Sequence, residues 1–128
     1  MDNSTNHILV AEDNAALASV VRFNLERAGF RVTVANDGLQ AWENLQHESY
    51  DLLLTDQQMP EMTGCELCQN VRSVPDLAEL PVILLTAKGL ELELPRLRDE
   101  LKITATFLKP FSPKEVVKAV EDCLAAVV

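Results

Sequence analysis

Three apolar runs, residues 7–11, 52–54 and 81–85, constrain this chain more than anything else in it. Each is too short for a helix and lacks polar alternation, so each reads as a strand buried on both faces. Residues 30–34 alternate as a half-buried strand does, and residues 104–108 make a last short one. Amphipathic stretches fill the intervals. Asn14 is placed to cap a helix carrying Leu17, Val20, Val21, Leu25 and Ala28, which Gly29 ends. Asp37 with Gln40, and Thr63 with Glu66, have the spacing of capping boxes. The first of these opens a helix with Leu39, Trp42 and Leu45 on its apolar side. Residues 73–80 read as loop. Pro95 is expected in the first turn of a helix beginning near Leu94. Ser112, Pro113 and Glu115 open a final helix whose stripe is Val116, Val120, Cys123 and Val127. Five strands alternating with helices make an α/β domain, a parallel sheet covered on both faces.

At 128 residues the chain is one domain, 1–128, able to bury a core without disulfides, with residues 1–6 expected as a disordered tail. Its net charge of −9 argues against a grip on phosphate backbones, so no direct nucleic-acid partner is expected. No run nears the roughly 20 apolar residues of a membrane span, and none has the form of a secretory signal. Three cysteines make no disulfide framework, so a reduced, cytoplasmic protein is expected. Cys65 and Cys68 stand in a C-x-x-C but have no second ligand pair, and read as helix packing. His7 reads as a strand start, His47 as a surface residue, and Trp42 and Phe111 as packing residues.

The chemistry gathers at the carboxyl ends of the strands, where ligands of open α/β sheets bind. The first strand ends in Glu12 and Asp13, the third in Asp56, the fourth in Thr86 and the fifth in Lys109. Taken alone, Asp56 reads equally as a helix cap or loop carboxylate. Taken together, three carboxylates on one rim need a cation, and oxygen ligands suit Mg²⁺. A cation, a lysine and a hydroxyl around one carboxylate provide what an incoming phosphoryl group requires. The carboxylate would be its nucleophile and carry it as an acyl phosphate.

With those residues assembled, the whole chain resembles the receiver domain of two-component response regulators. The resemblance rests on Glu12-Asp13, on Asp56 followed by Met59-Pro60-x-Met62-x-Gly64, on Thr86-Ala87-Lys88, and on Lys109-Pro110-Phe111. It implies a flavodoxin-like (βα)5 doubly wound sheet, order 2-1-3-4-5. It implies that Asp56 is the phosphoacceptor, taking phosphate from a histidine kinase phosphohistidine. Asp13, Asp56 and the backbone carbonyl of Gln58 would bind Mg²⁺ (Mn²⁺ substituting), with Glu12 acting through a water. Thr86, Lys109 and the backbone of Ala87 would hold phosphoryl oxygens, with Lys88 and Gln58 flanking them. The Lys109-Pro110 bond would be cis. The protein would then be a stand-alone signalling receiver that catalyses its own phosphorylation and dephosphorylation. Its partners would be a histidine kinase or histidine phosphotransfer protein and an unknown downstream protein, with no membrane.

One departure stands out. The family commonly has an aromatic three positions before the lysine, and Thr106 stands there. Phe107 points to the other face and cannot replace it. Three other functions share parts of the pattern. A phosphorelay intermediate would pass its phosphate to another histidine. An aspartate-nucleophile phosphohydrolase would need a second acid two residues after Asp56, where Gln58 stands. A flavin or nucleotide module of the same fold would need a Gly- or Ser/Thr-rich loop in place of Glu12-Asp13-Asn14-Ala15.

Overall fold

The computed structural model describes residues 6–87 and 94–125. Five parallel strands form one sheet: β1 (His7–Ala11), β2 (Arg31–Ala35), β3 (Leu52–Asp56), β4 (Val82–Thr86) and β5 (Ala105–Leu108). Their order is β2-β1-β3-β4-β5, the flavodoxin-like order expected. The helices are α1 (Ala15–Arg27), α2 (Gly38–His47), α3 (Gly64–Ser73), α4 (Leu94–Leu101) and α5 (Pro113–Ala125).

The three central strands explain the unbroken apolar runs. Leu9, Leu53, Val82 and Leu84 pack with α2, α3 and the end of α4 on one face. Ile8, Val10, Leu52, Leu54, Ile83 and Leu85 pack with α1 and α5 on the other. Period-two side-chain alternation feeds both layers, so polar residues are confined to the strand ends, His7 at one and Thr55, Asp56 and Thr86 at the other. The two outer strands are less covered, β2 running from exposed to buried and β5 lying half-buried. Ala105 and Phe107 join the α1/α5 side. Thr106 pairs in register with Leu84, a member of the opposite cluster, so Thr106 and Phe107 face opposite ways as expected.

The helix starts are set by their caps. Asn14 accepts from the Leu17 amide at 3.0 Å, and Gly29, at φ 102°, takes the left-handed turn that ends α1. Thr63 and Glu66 make a reciprocal capping box on α3. The Asp37 box is altered: Asp37 caps Gln40, but the Gln40 amide oxygen accepts from Asn36 rather than Asp37. Pro95 lies in the first turn of α4, as expected.

Three details depart from the sequence reading. Val20 and Leu39 are exposed, and the buried faces of their helices are Ala18-Val21-Leu25 and Gly38-Ala41-Leu45. At Gly38 the reason for a small residue is a close neighbour, since an added Cβ would meet the Met62 main chain. Pro75–Leu77, expected as loop, forms a single 3-10 turn. Asn6, expected at the end of the tail, accepts from the Arg31 amide at 3.0 Å. The rest of that tail, and also Lys88 and Val127, lie outside the described residues.

Cys65 and Cys68 are buried free thiols within α3, and burial pushes the Cys68 thiol up to about 11. His7 is buried at the start of β1 and bonds Thr33 at 2.7 Å, whereas His47 is exposed and meets the Glu43 carbonyl. Trp42 and Phe111 pack against the two core layers.

Candidate functional site

Each strand of the inner sheet releases its site residue where the ladder stops. Glu12 follows β1 and is 1% exposed, although it carries a carboxyl group. One of its oxygens accepts from the Asn14 amide at 3.1 Å; the other meets Lys109 Nζ at 3.1 Å. Asp56 ends β3, is 2% exposed, and places Oδ2 2.9 Å from the same Nζ. Lys109 is brought there by the last rung of the β4–β5 ladder, where its amide donates to the Thr86 carbonyl at 2.8 Å. The Lys109-Pro110 peptide is cis, and Phe111 then packs on the α5 side. Asp13 is exposed at the mouth of the site. Glu12, Asp13 and Asp56 each offer an oxygen, and the three lie within 4.8 Å of one another.

One ammonium thus contacts two of three clustered carboxylates. Asp56 Oδ1 has no hydrogen-bond partner, the one buried side-chain oxygen or nitrogen in that condition among the described residues. Leaving such an atom dry and unpaired costs about 1–3 kcal/mol, and more when it is charged. A small divalent cation supplies both the missing charge and the missing partner, so the donor set fits Mg²⁺.

Thr86 is fully buried, and its hydroxyl donates to the Ala87 carbonyl at 3.2 Å. The Ala87 amide donates to the Gln58 side-chain oxygen at 3.4 Å, a long bond between two strand ends. Glu12, Asp56 and Lys109 therefore meet directly with Asp13 beside the two acids, while Thr86, Ala87 and Gln58 line the adjoining edge. A groove of about 610 Å³ opens beside them between Asn14, Leu17, Val20 and Lys109-Pro110-Phe111. A larger one, about 810 Å³, lies at the opposite pole around Tyr50 and Leu80 and holds none of these residues.

The electrostatics follow from crowding. Burial lifts the Glu12 carboxyl above its ordinary 4.5; the Asn14 amide opposes this, the Asp56 charge adds to it, and Lys109 opposes it. Burial alone would lower Lys109, but hydrogen bonds and charge from Asp56 and Glu12 outweigh it and raise it above 10.5. A raised lysine stabilises the fold below 10.5, and that contribution is lost as pH climbs through its folded value. A raised carboxyl has the same sign in its own range: the fold binds its proton more tightly than the unfolded chain does. Stability therefore declines as pH rises from 4.5 through the folded value of Glu12. In metal-free buffer, Glu12→Gln should gain melting temperature relative to wild type between acid and neutral pH. A difference that stays constant with pH, or shrinks toward neutrality, contradicts the assignment.

The family model of the response regulator receiver domain matches residues 8–121. The chain belongs to that family. It is 39% identical over 118 residues to the phosphate regulon transcriptional regulatory protein PhoB of Rhizobium meliloti, covering 91% of this chain and 51% of that protein. It is 36% identical over 116 residues to the alkaline phosphatase synthesis transcriptional regulatory protein PhoP of Bacillus subtilis, covering 88% and 47%. The chain thus spans about half the length of these curated relatives. The structure of a Francisella response regulator receiver domain superposes with a TM-score of 0.86 at 27% identity, covering 97% of this chain and 100% of that one.

This chain is therefore a receiver domain of two-component response regulators, a signalling module of flavodoxin-like fold. Receiver domains bind Mg²⁺ through an acidic pocket and interact with histidine kinases. PhoB and PhoP are by name transcriptional regulators, so the expectations of a stand-alone unit and of no nucleic-acid role draw no support from them. Among the described residues no helix is long and apolar enough to cross a membrane.

Sequence reasoning missed two features. The Glu12–Lys109 contact was not expected, because Glu12 was read only as a cation ligand. Gln57 was passed over altogether. The signal for it was present: a polar amide directly follows the acid and precedes the apolar Met59.

Proposed function

We propose that Asp56 accepts a phosphoryl group from the phosphohistidine of a histidine kinase. The observation that supports this best is the pair of unlike oxygens on Asp56: Lys109 holds Oδ2, while Oδ1 is buried without a partner. Oδ1 carries two lone pairs, so with one directed at the cation the other stays available for attack. The new bond is Oδ1–P; the bond that breaks is P–N, whose electron pair stays on the donor imidazole. Lys109 then shares its ammonium with the phosphoryl oxygens, and the Thr86 hydroxyl turns from the Ala87 carbonyl to donate to one of them. The Ala87 amide donates to another once the Gln58 side chain withdraws from it.

Asp13, Asp56 and the Gln58 backbone carbonyl are the residues that would hold Mg²⁺, with Glu12 acting through a water. When bound, the cation supplies charge neutralisation for the transferring group. Glu12, held by Lys109 and the Asn14 amide, sets the position of its own free face. The same site lets the chain phosphorylate itself from small acyl phosphates and release the phosphate to water. The signal leaves through contacts with another protein.

Incubation with acetyl phosphate and Mg²⁺, followed by intact-mass measurement, tests the reading. One phosphoryl adduct is expected on wild type and none on Asp56→Ala. An equal adduct on both would sink it.

A further inference from the structure

The strained segment just beyond Asp56 is closed by a residue that none of the preceding chemistry uses. The first amides of α3 are all satisfied from within the chain. Gly64 donates to the Gln57 carbonyl at 3.1 Å, and Cys65 to the Gln57 side-chain oxygen at 2.8 Å. Glu66 donates to the Thr63 hydroxyl, and Leu67 to the Thr63 carbonyl. One residue, Gln57, thus supplies two of the acceptors that a helix start requires. Its own amide donates to the Leu85 carbonyl of β4 at 2.8 Å.

Gln57 therefore holds the loop 58–63 at both ends, covalently at the start and by two hydrogen bonds at the close. That loop is not relaxed. Glu61 sits at φ 71°, a left-handed conformation that costs a side-chain-bearing residue about 1–3 kcal/mol. The Met62 amide closes on the Pro60 carbonyl at 2.8 Å. Met59 is buried and Met62 packs against the α2/α3 layer, which fixes the loop's middle. An apolar residue at position 57 would leave the closure to the main-chain bond from Gly64 alone.

We propose that Gln57 is the positioning residue of the cation site. Its side-chain oxygen locks α3 to the end of β3, and so holds the Gln58 backbone carbonyl in place beside Asp56. The proposal rests on the reading above that Asp56 and Gln58 share a cation. Ligands held from behind by hydrogen bonds bind metal about 10- to 100-fold better than ligands left free. Two adjacent glutamines after the acid thus have separate tasks: Gln57 closes the loop, and Gln58 meets the cation and the Ala87 edge.

The test compares wild type with Gln57→Met, which removes the acceptor, and Gln57→Glu, which keeps one at the same reach. Mg²⁺ affinity is measured by calorimetry, and exchange of the Cys65 amide by hydrogen–deuterium mass spectrometry. For Gln57→Met the Mg²⁺ Kd should rise about tenfold and the Cys65 amide should exchange faster. Gln57→Glu should keep that amide protected and bind Mg²⁺ at least as well as wild type. A Gln57→Met protein that melts lower without metal yet binds Mg²⁺ as wild type does overturns the proposal, since a purely structural role gives that result. A failure of Gln57→Met to fold shifts the decision to Gln57→Glu, where unprotected Cys65 exchange or weakened Mg²⁺ binding overturns it. Wild type that binds no Mg²⁺ would instead overturn the cation reading beneath it.

Discussion

Lys109→Ala should lower the unfolding free energy of the metal-free protein by about 2–4 kcal/mol, and added Mg²⁺ should restore a good part of the loss. Removing one partner of a buried ion pair costs roughly 3–5 kcal/mol, because the other charge stays buried and uncompensated. Lys109 is a quarter exposed, which trims the figure, but it serves two acids rather than one. Without it, Glu12 and Asp56 face each other across a site with no cation, and Asp56 loses its remaining partner. Mg²⁺ held only by the folded state would stabilise it by roughly 2.7 kcal/mol at a hundred times its Kd. Urea titrations of the variant with and without Mg²⁺ check this. Phosphorylation by acetyl phosphate should slow by about a hundredfold even with saturating Mg²⁺, since the ammonium no longer meets the developing charge. Wild-type stability in metal-free buffer would contradict the account of the cluster.

Gly64→Ala should destabilise the protein by about 3 kcal/mol or more, although the position lies in a helix. By propensity alone, alanine in a helix gains about 1 kcal/mol over glycine. Packing decides against it here. An added Cβ would collide with the Asp56 main-chain oxygen and stand 3.0 Å from Leu84 Cδ1. The first contact is with backbone at the end of a buried strand, so neither side can give way cheaply. Either α3 moves away, breaking the Gln57 closure, or the end of β3 shifts and carries the Asp56 carboxylate with it. Thermal melting should register the loss, and Mg²⁺ binding should weaken with it. A variant that melts higher than wild type would mean that propensity wins and that α3 packs less tightly on β3.

Much of this was written in the sequence because the fold places chemistry at chain positions that are easy to mark. The central strands run apolar and turn polar within a residue or two of their ends, so Glu12, Asp56 and Thr86 announce where each ladder ends. The caps were equally plain at Asn14 and Thr63, where one short side chain reaches one amide. Spacing along a helix fixes which residues share a stripe but not how close the helix lies to its neighbour. Val20 and Leu39 therefore looked like core and are not, while Ala18 and Ala41 are. Gln57 was hidden for a different reason: its partner is eight residues away and becomes a neighbour only after the loop has folded back. The Glu12–Lys109 contact spans 97 residues and depends on two strand ends meeting on one rim. Thr106 is the converse case, since its position and facing were legible from alternation alone.

Asp56, and not a neighbouring acid, is expected to become the acyl phosphate. Wild-type protein phosphorylated by acetyl phosphate with Mg²⁺ can be reduced with borohydride, which converts an aspartyl phosphate to homoserine, and then mapped by peptide mass spectrometry. The account predicts homoserine at position 56 and at no other carboxylate. Homoserine at Asp13 or Glu12-derived reduction product at position 12, with position 56 unchanged, would contradict it.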